Sequence, residues 1–138
     1  DIKSGIVNVE FDDSKHGIEI MKYNKKINVS FNNEIPTIDI TLDVKASLGE
    51  IDDFKGHLTE DYITSLENIT AGVIKKEVES VINKAQNINT DFLGFSSIIY
   101  KKKPKKWKNI KDDWESIFPG TKVNINVNVN IFKTGLKS

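Results

Sequence analysis

The sequence predicts an α+β fold: a mostly antiparallel sheet of about five strands packed against one long helix, with two shorter helices beside it. Three observations carry that prediction. Apolar and polar residues alternate strictly over residues 37–48. Between residues 59 and 87 the apolar positions recur at steps of three and four. Period-two alternation then returns near the C-terminus, over residues 123–131. A chain of 138 residues is the size of one domain and can bury a core without disulfides or metal.

In chain order, Val7, Val9 and Phe11 alternate with Asn8 and Glu10 as a first strand, followed by a loop over 12–17. Residues 17–23 read as a weaker strand, with Ile18 and Ile20 opposing Glu19, Met21 and Tyr23. Residues 26–31 read as a third, with Ile27, Val29 and Phe31 on one face. Asn32-Asn33 supplies turn chemistry, because Asn tolerates left-handed backbone angles. After Pro36, the residues Ile38, Ile40, Leu42, Val44, Ala46 and Leu48 face inward, and Thr37, Asp39, Thr41, Asp43, Lys45 and Ser47 face outward. The long helix follows, its stripe made of Ile63, Leu66, Ile69, Val73, Ile74, Val78, Val81, Ile82 and Ala85. Thr59 can cap its start, and Glu60 and Asp61 suit the positive end of the helix dipole. Asp91 can cap a second helix containing Phe92, Phe95 and Ile99, which must stop before Pro104. Pro104 can open a third, carrying Trp107, Ile110, Trp114, Ile117 and Phe118 and ended by Pro119-Gly120. The last strand has Val123, Ile125, Val127, Val129 and Ile131 on one face and Asn124, Asn126, Asn128 and Asn130 on the other.

Twenty basic and twenty acidic residues cancel, so net charge points to no partner. All twenty basic residues are Lys. Without Arg the chain lacks the planar fork that clamps phosphates and carboxylates. The absence of cysteine excludes disulfides, thiolate zinc sites and cysteine nucleophiles. No apolar run approaches the roughly 20 residues that span a bilayer. The chain begins at Asp1 and not at Met, so any leader or lipid anchor is expected to belong to a preceding part.

Catalytic chemistry is hard to find. His16 and His57 both fall in expected loops, with no second ligand at metal-binding spacing. Asp12-Asp13, Asp52-Asp53 and Asp112-Asp113 are adjacent pairs, whose side chains diverge on a strand or a helix. No phosphate-binding or nucleophile-elbow motif occurs. The one concentrated charge feature is a run of Lys101, Lys102, Lys103, Lys105, Lys106, Lys108 and Lys111, with no acid among them. One reading is an anionic partner, either a phospholipid surface with Trp107 as interfacial anchor or, less well supported, nucleic acid. The other is a solvated helix junction, with Trp107 turned into the core and Asp112, Asp113 and Glu115 neutralising part of the charge. The Asn row of the last strand is either a side-chain ladder or the wet face of the sheet.

Several C-terminal features occur in a fixed order: Asp91-Phe92-Leu93-Gly94-Phe95, Tyr100-Lys101, Lys103-Pro104-Lys105-Lys106-Trp107, Trp114-Glu115-Ser116-Ile117-Phe118, then a valine-rich strand closing at Thr134-Gly135-Leu136. This series resembles the C-terminal domain of the Ger(x)C family, the lipoprotein C subunits of spore nutrient germinant receptors. The resemblance is strongest over residues 90–136. The earlier strands, the Leu48-Gly49-Glu50 element and the long helix also follow the family's order. Ser96 departs from it, standing where the family pattern has a second glycine.

The resemblance implies a single C-terminal α+β domain, residues 1–138, of a larger lipoprotein with a lipidated N-terminal cysteine and further domains upstream. It implies a place on the outer face of the spore inner membrane, assembly with integral-membrane A and B subunits, and a part in nutrient-triggered germination. No catalytic residue and no cofactor come with it; nucleic acid is not an expected partner. The lysine run is the expected docking surface. Two other functions would need features that sequence does not display. A peptidoglycan-directed hydrolase needs two carboxyl groups about 5–9.5 Å apart in a cleft. A germinant-binding module needs a mostly apolar pocket with a few polar groups.

Overall fold

A computed structural model describes residues 5–52 and 58–132. His57, Asp53 and the Thr134-Gly135-Leu136 ending lie outside the described residues. The order of elements is β1 (Gly5–Phe11), β2 (Ser14–Asn32), β3 (Ile35–Asp52), α1 (Glu60–Asn87), α2 (Phe95–Lys102), α3 (Pro104–Ile110), the single helical turn α4 (Trp114–Ile117) and β4 (Lys122–Phe132). Two 3₁₀ turns, Lys111–Asp113 and Phe118–Gly120, flank α4. The fold is α+β as predicted.

Among the described residues the sheet has four strands, in the order β1-β2-β3-β4. The segments read as separate strands at 17–23 and 26–31 are one continuous strand, β2, of 19 residues. Asn24 and Lys25, taken as a break, continue the extended backbone. β1 and β2 are antiparallel, with Phe11 opposite Ser14. The two residues between them, Asp12 and Asp13, both have positive φ, 55° and 59°. That is the backbone of a tight hairpin turn whose twist matches the strands. The second hairpin turns through Asn33, φ 59°, and Glu34.

β4 departs from a purely antiparallel sheet. Asn124 Nδ2 donates to Asp39 Oδ1 at 2.8 Å, and Asn128 Nδ2 donates to Asp43 Oδ1 at 2.9 Å. Both pairs are 85 residues apart, so β3 and β4 advance together and run parallel. Such a pair requires a long crossover, which α1 to α4 provide.

The chain forms two compact units. One takes the residues up to Lys25, Leu42 to Lys75 and Val127 onward; the other takes Lys26–Thr41 and Lys76–Asn126. In the first, Val9, Ile18, Ala46, Leu48 and Ile131 of the strands pack with Ile63 and Leu66 of α1. The alternation on β3 is seen in the burial of Leu42, Val44, Ala46 and Leu48; Ser47, expected to face outward, is also buried. Thr59 caps α1 as predicted, its Oγ1 accepting from Tyr62 N at 3.1 Å. In the second unit the buried set is Val29, Ile38, Ile40, Ile82, Ala85, Phe95, Ile99, Ile110, Phe118 and Ile125. Val81, assigned by spacing to the buried stripe, is exposed. The expected third helix breaks after Ile110, where 3₁₀ geometry replaces the α-helix before Trp114.

Candidate docking surface

The lysine run lies on two helices that meet at an elbow. Lys101 and Lys102 close α2, Lys103 joins the helices with φ −138° and ψ 64°, and Pro104 opens α3 at its first position. All seven lysines are exposed. Lys106 Nζ lies 5.8 Å from the centroid of the Phe31 ring, a cation–π contact. Among the described residues the side chains of the other six have no ion-pair or hydrogen-bond partner; Asp112, Asp113 and Glu115 do not pair with them. The expected partial neutralisation is therefore absent as direct contacts.

What holds the elbow in place is the aromatic and polar platform beneath it. The Asp91 carboxylate accepts from Phe95 N and Ser96 N, each at 2.8 Å, which caps α2 from a turn upstream. Gly94, between them, has φ 79°, a left-handed conformation that suits glycine. Ser96, at the position that departs from the family pattern, uses its backbone N–H in this cap. Asp91 Oδ2 also accepts from Trp114 Nε1 at 3.3 Å. Trp107 packs edge-on against Trp114 at 5.5 Å, Trp114 against Phe118 at 5.5 Å, and Phe118 against Phe95 at 6.3 Å. Trp107 is thus half-buried in this row and is not a free interfacial anchor. Phe92, expected on α2, precedes it and is exposed. Gln86 Nε2 donates to Phe118 O and Thr121 O, and Asn89 Nδ2 to Glu115 O, fastening the end of α1 to the chain around α4.

A second polar cluster was not legible as one in the sequence. His16 lies in β2, 1% exposed, and not in a solvated loop. Its Nδ1 is 3.3 Å from Val9 O and its Nε2 is 2.7 Å from the Tyr62 hydroxyl. A carbonyl can only accept, so Nδ1 donates to Val9 O, and in that tautomer Nε2 is left to accept from the Tyr62 O–H. Phe11 stacks edge-on with Tyr62 at 5.0 Å. Burial, and secondarily the Asp12 carboxylate, raises the Tyr62 pKa above its ordinary value. Both ring nitrogens of His16 are thus taken up in contacts within the fold.

An open hollow of about 470 Å³ runs along α1, lined by Lys76, Glu79, Ser80, Asn83, Lys84 and Asn87. It contains one carboxylate, Glu79, where a glycosidase needs two, and its lining is polar where a small-molecule pocket is mostly apolar. Among the described residues no three His, Cys, Asp or Glu side chains gather to hold a metal. No helix among them is long and apolar enough to cross a membrane.

A mixed four-stranded sheet with a long helix and a basic elbow defines an α+β domain whose distinctive chemistry lies on its surface. The chain belongs to the family described as "Spore germination B3/ GerAC like, C-terminal", which matches residues 1–135. Among curated proteins it is similar to spore germination protein KC of Bacillus subtilis (strain 168), 21% identical over 99% of this chain and 34% of that protein. It is also similar to spore germination protein YndF of the same strain, 25% identical over 85% of this chain and 29% of that protein. The chain thus spans about a third of the length of the curated relatives it matches. Among solved structures it is similar to the crystal structure of the GerBC protein, with a TM-score of 0.85 and 26% identity over 95% of this chain and 41% of that one.

Proposed function

We propose that residues 1–138 form the single C-terminal domain of a lipoprotein C subunit of a spore germinant receptor, acting in assembly and not in catalysis. The observation that carries this reading is the family match across residues 1–135, supported by the likeness to the GerBC structure. In this reading the full protein is lipid-anchored at the outer face of the spore inner membrane and assembles with integral-membrane A and B subunits. The lysine elbow is its docking surface: seven exposed cations beside a row of packed aromatic rings are suited to an anionic partner.

Co-purification of the full lipoprotein from detergent-solubilised spore membranes, with cross-links mapped onto this chain, tests the proposal. The expected result is recovery of two integral-membrane partners with cross-links in this domain. Normal receptor assembly and normal nutrient germination after deletion of the domain would refute it.

A further inference from the structure

We propose that the elbow formed by α2 and α3 docks on the anionic headgroups of a lipid bilayer. The inference rests on the docking-surface reading above and assigns that surface a partner. Charge complementarity is its first support: Lys101, Lys102, Lys103, Lys105, Lys108 and Lys111 are exposed and unpaired among the described residues. Nothing orders these six ammonium groups into a fixed pattern, and there is no Arg to form a planar fork. A diffuse set of exposed point charges suits a fluid headgroup layer, where the counter-charges can rearrange to meet it. It suits a stereospecific protein interface poorly, because such interfaces are depleted in Lys.

A second observation adds an apolar component. The same unit exposes large apolar side chains just ahead of the lysines: Tyr100 on α2, 58% exposed, and Phe92 in the connection before it, 54% exposed. Tyr100 and Lys101 are both exposed on the last turn of α2, next to the buried Ile99. Aromatic side chains beside lysines match the layered chemistry of a membrane interface, apolar below and charged above. Lys101, Lys102 and Lys103 suit the C-terminal end of the α2 dipole, but Lys105 and Lys106 lie in the first turn of α3, which has no acidic residue. Cations there oppose the dipole of α3, so it does not account for these two.

Co-sedimentation of the 138-residue chain with vesicles tests this. Vesicles of phosphatidylcholine with roughly one-third phosphatidylglycerol should bind it and pure phosphatidylcholine vesicles should not, with binding falling steeply between about 0.05 M and about 0.5 M salt. Each Lys near an anionic surface is worth about 1 kcal/mol, a factor of roughly five, so K101Q/K102Q/K103Q should lower partitioning roughly 100-fold. A second triple, K105Q/K108Q/K111Q, should act alike, and thermal melts at the wild-type value verify folding of both. Tyr100→Ser should weaken binding by a factor that high salt leaves unchanged. Equal binding to both vesicle types, no effect of either triple, or tighter binding to an RNA oligonucleotide or polyglutamate would overturn the proposal. The vesicles contain no other protein and the co-purification is done in detergent. A chain that assembles but does not sediment defeats the lipid assignment alone; one that sediments but does not assemble defeats only the assembly reading.

Discussion

Replacing Asp91 by Ala should loosen the lysine-bearing elbow at its anchor. The substitution leaves Phe95 N, Ser96 N and Trp114 Nε1 without the carboxylate that accepts from all three. Loss of a helix cap costs about 0.5–2 kcal/mol, and a hydrogen bond to a charged group contributes about 1.5–3 kcal/mol. Asp91 is half-buried, so water recovers part of the loss, and about 2 kcal/mol is the expected cost. With a urea slope of about 2 kcal/mol/M, the unfolding midpoint should fall by about 1 M. Tryptophan fluorescence is the natural probe, since Trp114 loses a partner and the neighbouring Trp107 packs on it. Asp91→Asn keeps one acceptor oxygen and should cost about half as much. A midpoint for Asp91→Ala within about 0.2 M of wild type would show that the carboxylate does not hold α2 against α4.

Tyr62→Phe should cost about 1–3 kcal/mol, because it leaves Nε2 of the buried His16 without its donor. The raised Tyr62 pKa means the folded chain holds that proton more tightly than the unfolded one. Its contribution is therefore complete below about pH 10 and lost as pH rises through the folded value, so the gap between wild type and variant should narrow only above about pH 10. Urea melts showing the gap already closing between about pH 6 and 8 would contradict this. Thr70 is 0% exposed and its hydroxyl has no hydrogen-bond partner among the described residues. The near-isosteric Thr70→Val should stabilise by about 1 kcal/mol; a lowered melting temperature would mean the hydroxyl is satisfied. Lys105→Glu replaces a cation with an acid in the first turn of α3. It should stabilise the chain by about 0.3–1 kcal/mol at low ionic strength while weakening vesicle binding, so a destabilised variant would identify Lys105 as a structural residue.

Local pattern sufficed where one element decides its own fate. Thr59 at the start of α1, Pro104 at the start of α3 and the alternation along β3 are short-range signals, and each appears in the structure. What the sequence concealed depends on distant partners. The burial of His16 is decided by Tyr62, 46 residues away. A β2 interrupted by Asn24 and Lys25 looks like two strands until strands on both sides of it are known. The role of Trp107 turned on Trp114, which the break at Ile110 brings round to meet it. The Asn row belongs to both readings offered for it. Asn124 and Asn128 form a ladder to β3, while Asn126 and Asn130 are exposed. The equal steps from Asp39 to Asp43 and from Asn124 to Asn128 fit either strand direction, and only the observed partners make the pairing parallel. The lysine elbow was legible as charge. Its support was not, because the Asp91 cap reaches across to Trp114.

The parallel seat of β4 sets an order on folding. The first three strands are joined by two-residue turns, so they can zip together locally. β4 reaches β3 only after about 70 intervening residues have been gathered in, the span from Asp52 to Lys122. By loop-closure entropy that step costs roughly 3 kcal/mol more than closing a two-residue turn. The amides of β4 should accordingly gain protection last in pulse-labelled hydrogen exchange, after those of β1 and β2. For a nascent chain the consequence is practical: β4 leaves the ribosome after the other three strands, so the β3 edge stays open until residues 122–132 have been made.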